Sequence, residues 1–306
     1  MTLPVDAASN ARPNRDDELP RLHAVVTCLG DAEFLPASIR AIYDNVTGIT
    51  VVTTLDRDWK GRPREPDDVL DIVLSRRCDP DRKVDLIVSN ETSEARTRNR
   101  VMQWVGSRPD PPTRSEHGGD EPNPPAPDWF LILDPDEIWE DGHLRSLRAY
   151  AQTRSEAILR VAAIRYWKAW NCRVAGLEWS TALVRPGTRL NWLRNAELPP
   201  RPRWRLPNSR GSSHDVPESV ALFHHGSYVG PRSRIEAKLS AFGHSAEVVP
   251  GWLENVYDMW TQESTNLNPV WPHLYPYAEL VDANELPDEI RLNEWPPGYL
   301  NSEERP

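Results

Sequence analysis

Three carboxylates fall within four residues: Asp134, Asp136 and Glu137 follow the apolar run "WFLIL" at 129–133, with Pro135 between the two aspartates. Two carboxylates this close repel, and each resists ionising beside the other. A hard divalent ion removes the conflict. Mn²⁺ or Mg²⁺ prefers oxygen ligands and often borrows some from a substrate phosphate. The other reading of "DPDE" is helix capping, since acids in a first turn face the positive end of the helix.

Further along, His224 and His225 are adjacent, so strand alternation would put them on opposite faces. One could meet a metal or a diphosphate, although neutral imidazole is also a common buried hydrogen-bonder. Arg96, Arg98, Asn99 and Arg100 sit together in "ARTRNR". Positions 96, 99 and 100 share a helix face. They could add positive charge beside a phosphate or form a solvated arginine face.

These residues need elements to hold them. "LHAVVTCLG" (22–30), "GITVVTTLD" (48–56), "KVDLIVSN" (83–90) and "WFLIL" read as strands. "EFLPASIRAIYDN" (33–45) and "SEARTRNRVMQWVG" (93–106) have helical spacing, and "VLDIVLSRR" is a short helix or an ambiguous run. The alternation predicts an α/β fold, a mostly parallel sheet covered by helices. Ligands of such sheets gather beyond the carboxyl ends of the strands. Gly30, Asp31, Asp56, Asn90, Asp134 and Asp136 all stand just past a predicted strand end.

In the second half, "LRSLRAYAQTR" predicts a helix and "AILRVAAIRYWKAW" a strand rich in aromatics. "STALVRPGTRLNWL" predicts a hairpin turning at Pro186–Gly187. "SVALFHHGSYV" (219–229) predicts a strand; "RSRIEAKLSAFGH" and "GWLENVYDMWTQ" predict helices. Residues 1–20 read as disordered and 107–127, "SRPDPPTRSEHGGDEPNPPAP", as a flexible insertion. The main domain spans 21–245, and 246–306 form a helical and extended tail.

Composition removes several classes. The 306 residues carry a net charge of -10, which argues against nucleic-acid binding, a task that needs a basic face. No apolar run reaches the length of a membrane span, and the first twenty residues lack a signal-peptide core. Cys28, Cys78 and Cys172 form no CxxC pair, so reduced thiols and a cytoplasmic protein are expected. There is no GxGxxG after the first strand and no GxxxxGK[ST], which argues against a dinucleotide dehydrogenase or a P-loop enzyme.

Taken in order, "AVVTCLGDAEFLPASI", "VVTTLD", "ARTRNRVMQW", "WFLILDPDEIW" and "FHHGSYVGPRSRIEAKLSAFGH" resemble a family 2-type glycosyltransferase of the GT-A fold, over roughly residues 22–245. The resemblance implies a nucleotide-sugar donor, a UDP- or GDP-sugar, lying over the first strand, with Cys28, Gly30 and Asp56 around the nucleoside. It implies a DxD at Asp134 and Asp136 for Mn²⁺ or Mg²⁺, Asp136 being the favoured direct ligand, with His225 as a further contact to metal or diphosphate and His224 as the neighbouring alternative. It also brings Arg98, Asn99 and Lys238 near the donor. A divalent ion and cationic side chains would stabilise the charge that develops on the departing diphosphate.

An inverting transfer also needs a base for the acceptor hydroxyl. Glu197, Glu178 and Asp215 are the candidates. Relatives carry a His-Glu pair near Glu197, and here Ala196 replaces the histidine. Trp167, Trp170, Trp179 and Trp192 could stack on a sugar or form core. The acceptor would be a small molecule, a glycan or a peptide. Competing readings are a nucleotidyltransferase on a similar sheet and a non-catalytic GT-A-like binding or scaffold protein, for which the proline-rich stretches would be docking segments.

Overall fold

Two six-residue runs, β1 (Leu22–Thr27) and β2 (Gly48–Thr53), are buried along their whole length, as strands covered on both faces are. They pair in parallel, and β1 also pairs in parallel with β4 (Trp129–Leu133), while β2 pairs with β3 (Val84–Val88). In this computed structural model the described residues are 19–58, 61–63, 68–75, 77–107, 126–191, 194, 213–241 and 244–301. The expectations for residues 1–18, for most of the 107–127 insertion, for Trp192 and for Glu197 therefore lie outside the described residues.

Side chains alternate across the sheet and build a core on each face. On one face Leu22, Ala24, Val26, Trp129, Leu131 and Leu133 pack with Leu35, Ile39 and Ile42 of α1 (Leu35–Ile42) and with Leu144 and Leu147 of α4 (Asp141–Gln152). On the other, Val25, Val52, Phe130 and Ile132 meet Val101, Met102 and Val105 of α3 (Glu94–Gly106). Ser93 caps α3, its Oγ accepting from Arg96 N at 3.5 Å. The ambiguous run becomes a short α2 (Val69–Leu74).

The next strand, β6 (Ile158–Val184), has 27 residues. Run straight it would span roughly 90 Å. Instead it doubles back, because Ala157 O and Arg185 N, which bracket it, are 2.9 Å apart. Lys168 (φ 62) and Gly176 (φ 80) take left-handed backbone around the far bend. The returning limb pairs antiparallel with β4, and the outgoing limb pairs in parallel with β7 (Ser213–Asp215) and β8 (Leu222–Val229). The short β5 (Glu137–Trp139) closes the order β3-β2-β1-β4-β6-β8-β5. The C-terminal segment adds β9 (Ala278–Leu280) to the bend of β6 and packs Leu286, Ile290 of α6 (Asp288–Arg291) and Tyr299 against Phe34 and Trp170.

The class predicted from the alternation is the one observed: α/β, with a mostly parallel sheet flanked by helices. Three local expectations change. "DPDE" does not cap a helix: Glu137 N bonds Asp134 O at 3.1 Å, the chain turns into β5, and α4 begins only at Asp141. "GWLENVYDMWTQ" forms a π-helical turn at Leu253–Asp258. Pro186–Gly187 does turn, with Gly187 at φ 83 and Thr188 N on Arg185 O at 3.1 Å, but no named strand returns among the described residues. α5 (Arg232–Ala241) forms where the spacing predicts it.

Candidate active site

The site begins where β1 ends. Gly30 (φ 74) and Asp31 (φ 62) are both left-handed, a conformation glycine enters freely and aspartate tolerates better than most residues. The turn aims the Asp31 carboxylate at α5. There Arg234 and Lys238 stand one helical turn apart on one face. Asp31 Oδ2 is 2.8 Å from Lys238 Nζ, and Asp31 Oδ1 is 2.6 Å from Arg234 Nη2. Lys238 Nζ also donates to Asp136 Oδ2, so one ammonium joins the turn after β1 to the turn after β4.

The turn after β4 is tied from the other side. Asp134 Oδ1 accepts from Arg98 Nη2 at 2.7 Å, and Asp134 Oδ2 pairs with Arg194 Nη2. Arg194 Nη1 reaches Glu137 Oε1 at 2.8 Å. Arg98 is buried in α3, with Nε on Thr27 Oγ1 at 3.1 Å and Nη2 on Glu94 Oε1. Asn99 has a different task. Its Nδ2 donates to Leu190 O at 2.7 Å and its Oδ1 accepts from Leu190 N at 2.8 Å, pinning backbone four residues before Arg194. Arg194 N then closes a turn on Asn191 O at 3.1 Å.

Burial on its own would raise the Asp136 carboxyl, but Lys238, His225 and Arg234 outweigh it and hold the group below the usual carboxylate range. Asp134 is held low in the same way against its own burial, by Arg194 and Arg98. Burial wins at Glu94 and Glu137, whose carboxyls are raised despite Arg98 and Arg194. Burial would lower Lys238, yet Asp136 and Asp31 raise it and keep the ammonium charged.

Alternation separates the two histidines of β8 as expected. His225 faces the cluster, Nε2 lying 3.7 Å from Asp136 Oδ1. His224 points the other way, buried, with Nδ1 bonded to Tyr166 Oη and Nε2 to Glu140 Oε1, each at 2.9 Å. Gly226 N bonds Asp136 O at 2.8 Å, which fixes the aspartate to the strand that carries His225.

The remaining candidates divide. Cys28 is fully buried in the core, its Sγ 3.4 Å from Gly30 O. Asp56 is exposed beyond β2 and paired with Arg57, whose hydrogen bond lowers its pKa. Glu178 lies on the returning limb of β6, 3.4 Å from Arg165 Nη1, with its side chain 45% exposed. Burial raises the phenols of Tyr228 and Tyr275, and Glu178 and Asp136 add to the rise. Asp215 pairs with Arg160 at 3.3 Å. On β6 the partners of Asp215 and His225 are Arg160 and Arg165, five residues and therefore roughly 17 Å apart. Trp167 and Trp170 are core, whereas Trp179 is half-buried. Arg96 and Arg100 line a separate cavity of about 570 Å³ with Thr188 and Arg189.

Two cations of the cluster had no part in the expectations drawn from the sequence. Arg234 differs from surrounding arginines only in standing one turn before Lys238. Arg194 has no local signal at all, being 60 residues from Asp134 in a stretch without periodicity.

The expected donor set for Mn²⁺ or Mg²⁺ is Asp134, Asp136 and His225. As disposed, it does not fit a divalent ion. Both Asp134 oxygens and one Asp136 oxygen already meet an arginine or lysine nitrogen, and an ion at Asp136 Oδ2 would have to displace Lys238. Among the described residues no three His, Cys, Asp or Glu side chains converge as metal ligands.

No family model matches the chain. No curated protein matches it either. Solved structures do. S. aureus TarS 1–349 aligns with a TM-score of 0.38 at 12% identity, covering 72% of this chain and 63% of that one. TarS 1–349 in complex with UDP-GlcNAc aligns at 0.30 and 14% identity over 47% of this chain and 35% of that one. Glucosyl-3-phosphoglycerate synthase from Mycobacterium tuberculosis, in complex with Mn²⁺, UDP and glucosyl-3-phosphoglycerate, aligns at 0.30 and 13% identity over 54% and 50%. The chain spans 35% to 63% of the length of the TarS chains it matches. Likeness at this level says nothing of activity. No helix among the described residues is long and apolar enough to cross a membrane.

Proposed function

We propose that the protein is a cytoplasmic glycosyltransferase that moves a sugar from a nucleoside-diphosphate sugar to an acceptor hydroxyl, with inversion. The observation that carries the reading is convergence. Residues beyond the carboxyl ends of β1 and β4 (Asp31, Asp134, Asp136) meet His225 of β8 and cations from α3, α5 and the segment after β6 in one partly open cluster. That is where sheets of this class bind ligands. The ordered motifs that resemble family 2 glycosyltransferases point the same way.

In this reading the base takes the acceptor proton, the acceptor oxygen bonds the anomeric carbon, and the sugar–phosphate bond breaks with its electron pair going to the diphosphate. Arg194 and Lys238, whose side chains are 11% and 19% exposed, are the cations nearest solvent and receive that charge. Glu178 is the base we favour: its side chain is 45% exposed and bonds Arg165, the register partner of His225, whereas Asp215 stands roughly 17 Å along β6. No step runs through a divalent ion.

A thermal-shift series with UDP, GDP, TDP and CMP, and their sugars, tests the proposal. Ligand at about one hundred times its Kd stabilises the native state by about 2.7 kcal/mol. One nucleotide and its sugar should raise the melting temperature. With that donor, Glu178→Gln should lose about 10²- to 10⁴-fold in transfer while still binding it. No shift with any nucleotide refutes the proposal.

A further inference from the structure

The ion suggested by "DPD" and the side chains that surround it disagree, and the disagreement has a definite form. Lys238 Nζ lies between Asp31 Oδ2, at 2.8 Å, and Asp136 Oδ2, its hydrogen-bond partner. An ion coordinating Asp136 Oδ2 would need to sit about 2.0–2.1 Å from that oxygen for Mg²⁺, in the volume that Nζ fills. Arg234 Nη2 is 3.7 Å from the same oxygen, so a divalent ion would also meet a buried guanidinium.

We infer that the protein carries its own cation: the Lys238 ammonium takes the place of a divalent ion at Asp136, and binding of the donor diphosphate is metal-independent. The second half rests on the function proposed above; the first half does not.

Two further observations support it. The two carboxylates that would coordinate an ion, Asp134 and Asp136, already pair with Arg98, Arg194 and Lys238. Finally, Arg234 is buried, and its Nε and Nη2 lie in ion-pair range of Glu33 and Asp31 without an aligned hydrogen bond. The partly exposed Lys238 is the donor a phosphate oxygen can reach. A lysine anchored on α5 also brings no ion-uptake step, since its charge folds with the protein.

The test measures metal and nucleotide separately. Free Mn²⁺ is followed by electron paramagnetic resonance in a titration of the full chain. Wild type should leave Mn²⁺ free through the submillimolar range. Lys238→Met should bind one Mn²⁺ at least about tenfold tighter, because the vacated space lies between the Asp31 and Asp136 carboxylates. Adding Asp136→Asn should abolish that gain, and Lys238→Arg should behave as wild type. A wild-type Mn²⁺ site that disappears in Asp136→Asn overturns the inference, as does a folded Lys238→Met that gains nothing. If Lys238→Met does not fold, the wild-type titration still decides.

In parallel, UDP and GDP are titrated into wild type with EDTA or with Mn²⁺. Affinities within about twofold of each other support metal-independent binding, and a loss of about tenfold or more in EDTA overturns it. Absence of nucleotide binding in both buffers defeats the glycosyltransferase proposal and the donor half of the inference. The Mn²⁺ titration then judges the resident cation by itself.

Discussion

Arg194→Met removes the guanidinium that joins Asp134 to Glu137. The Arg194–Glu137 contact is 2.8 Å long, with side chains 11% and 3% exposed. At an effective dielectric of 20 such a pair attracts by about 6 kcal/mol, part of it offset by desolvation. Breaking a buried pair from one side costs about 3–5 kcal/mol, because a charge is left behind. Asp134 keeps Arg98, so the residual charge falls on Glu137. Its carboxyl is already raised from 4.5 by burial, and Arg194 is the largest effect opposing the rise. Without Arg194 it rises further. The sign follows by linkage: a carboxyl that holds its proton more tightly folded than unfolded destabilises the fold as pH climbs from the unfolded value, 4.5, through the folded one. Between the wild-type and variant Glu137 pKa values, the cost grows by about 1.4 kcal/mol per pH unit. Urea unfolding at pH 5, 6.5 and 8 should show a deficit of about 3–5 kcal/mol at pH 8, smaller by at least about 1.4 kcal/mol at pH 5. Adding Glu137→Gln should flatten that dependence and recover part of the loss. Equal deficits at the three pH values, or a deficit below about 1 kcal/mol at pH 8, would refute the reasoning.

Other elements make separate predictions. Asn99→Ala removes both bonds to the Leu190 backbone and should cost about 1–3 kcal/mol in urea unfolding, with faster amide exchange at Leu190. Gly226→Ala puts a Cβ 2.7 Å from Trp170 Cη2 and 3.3 Å from Phe34 Cε1, so overpacking should cost about 1–3 kcal/mol and weaken nucleotide binding by shifting His225. Asp134 and Asp136, both held below 3.8, contribute stability that is present above that value and lost as pH falls through their lower folded values. The wild-type melting temperature should therefore drop steeply below about pH 4, and the Asp136→Asn profile, read by calorimetry, should be shallower there.

Local chemistry made the first half of the chain readable. β1, β2 and β4 are short, β-branched or aromatic, and end at Gly or Asp, so composition and punctuation agree. α3 announces itself by Ser93 and by its apolar spacing. The second half was harder. β6 reads as one aromatic strand and a separate hairpin because nothing at Lys168 or Gly176 says that the chain folds back there. The acid clump was ambiguous for a similar reason: "DPDE" suits a cap or a turn equally well, and only the pairing of Glu137 with His225 draws it into β5.

The sequence by itself determined the α/β class, the strand ends at which Asp31, Asp134 and Asp136 stand, and the opposite facing of His224 and His225, because each depends on residues a few positions apart. Tertiary structure alone decided what neutralises the carboxylates. Arg194 and Lys238 are 60 and 102 residues from the aspartates they join, and no periodicity reaches that far. The packing of α5 against the end of β1, and the clamp of Asn99 on Leu190, bring these cations into place. The charge of the cluster is a property of the folded sheet, and no single motif encodes it.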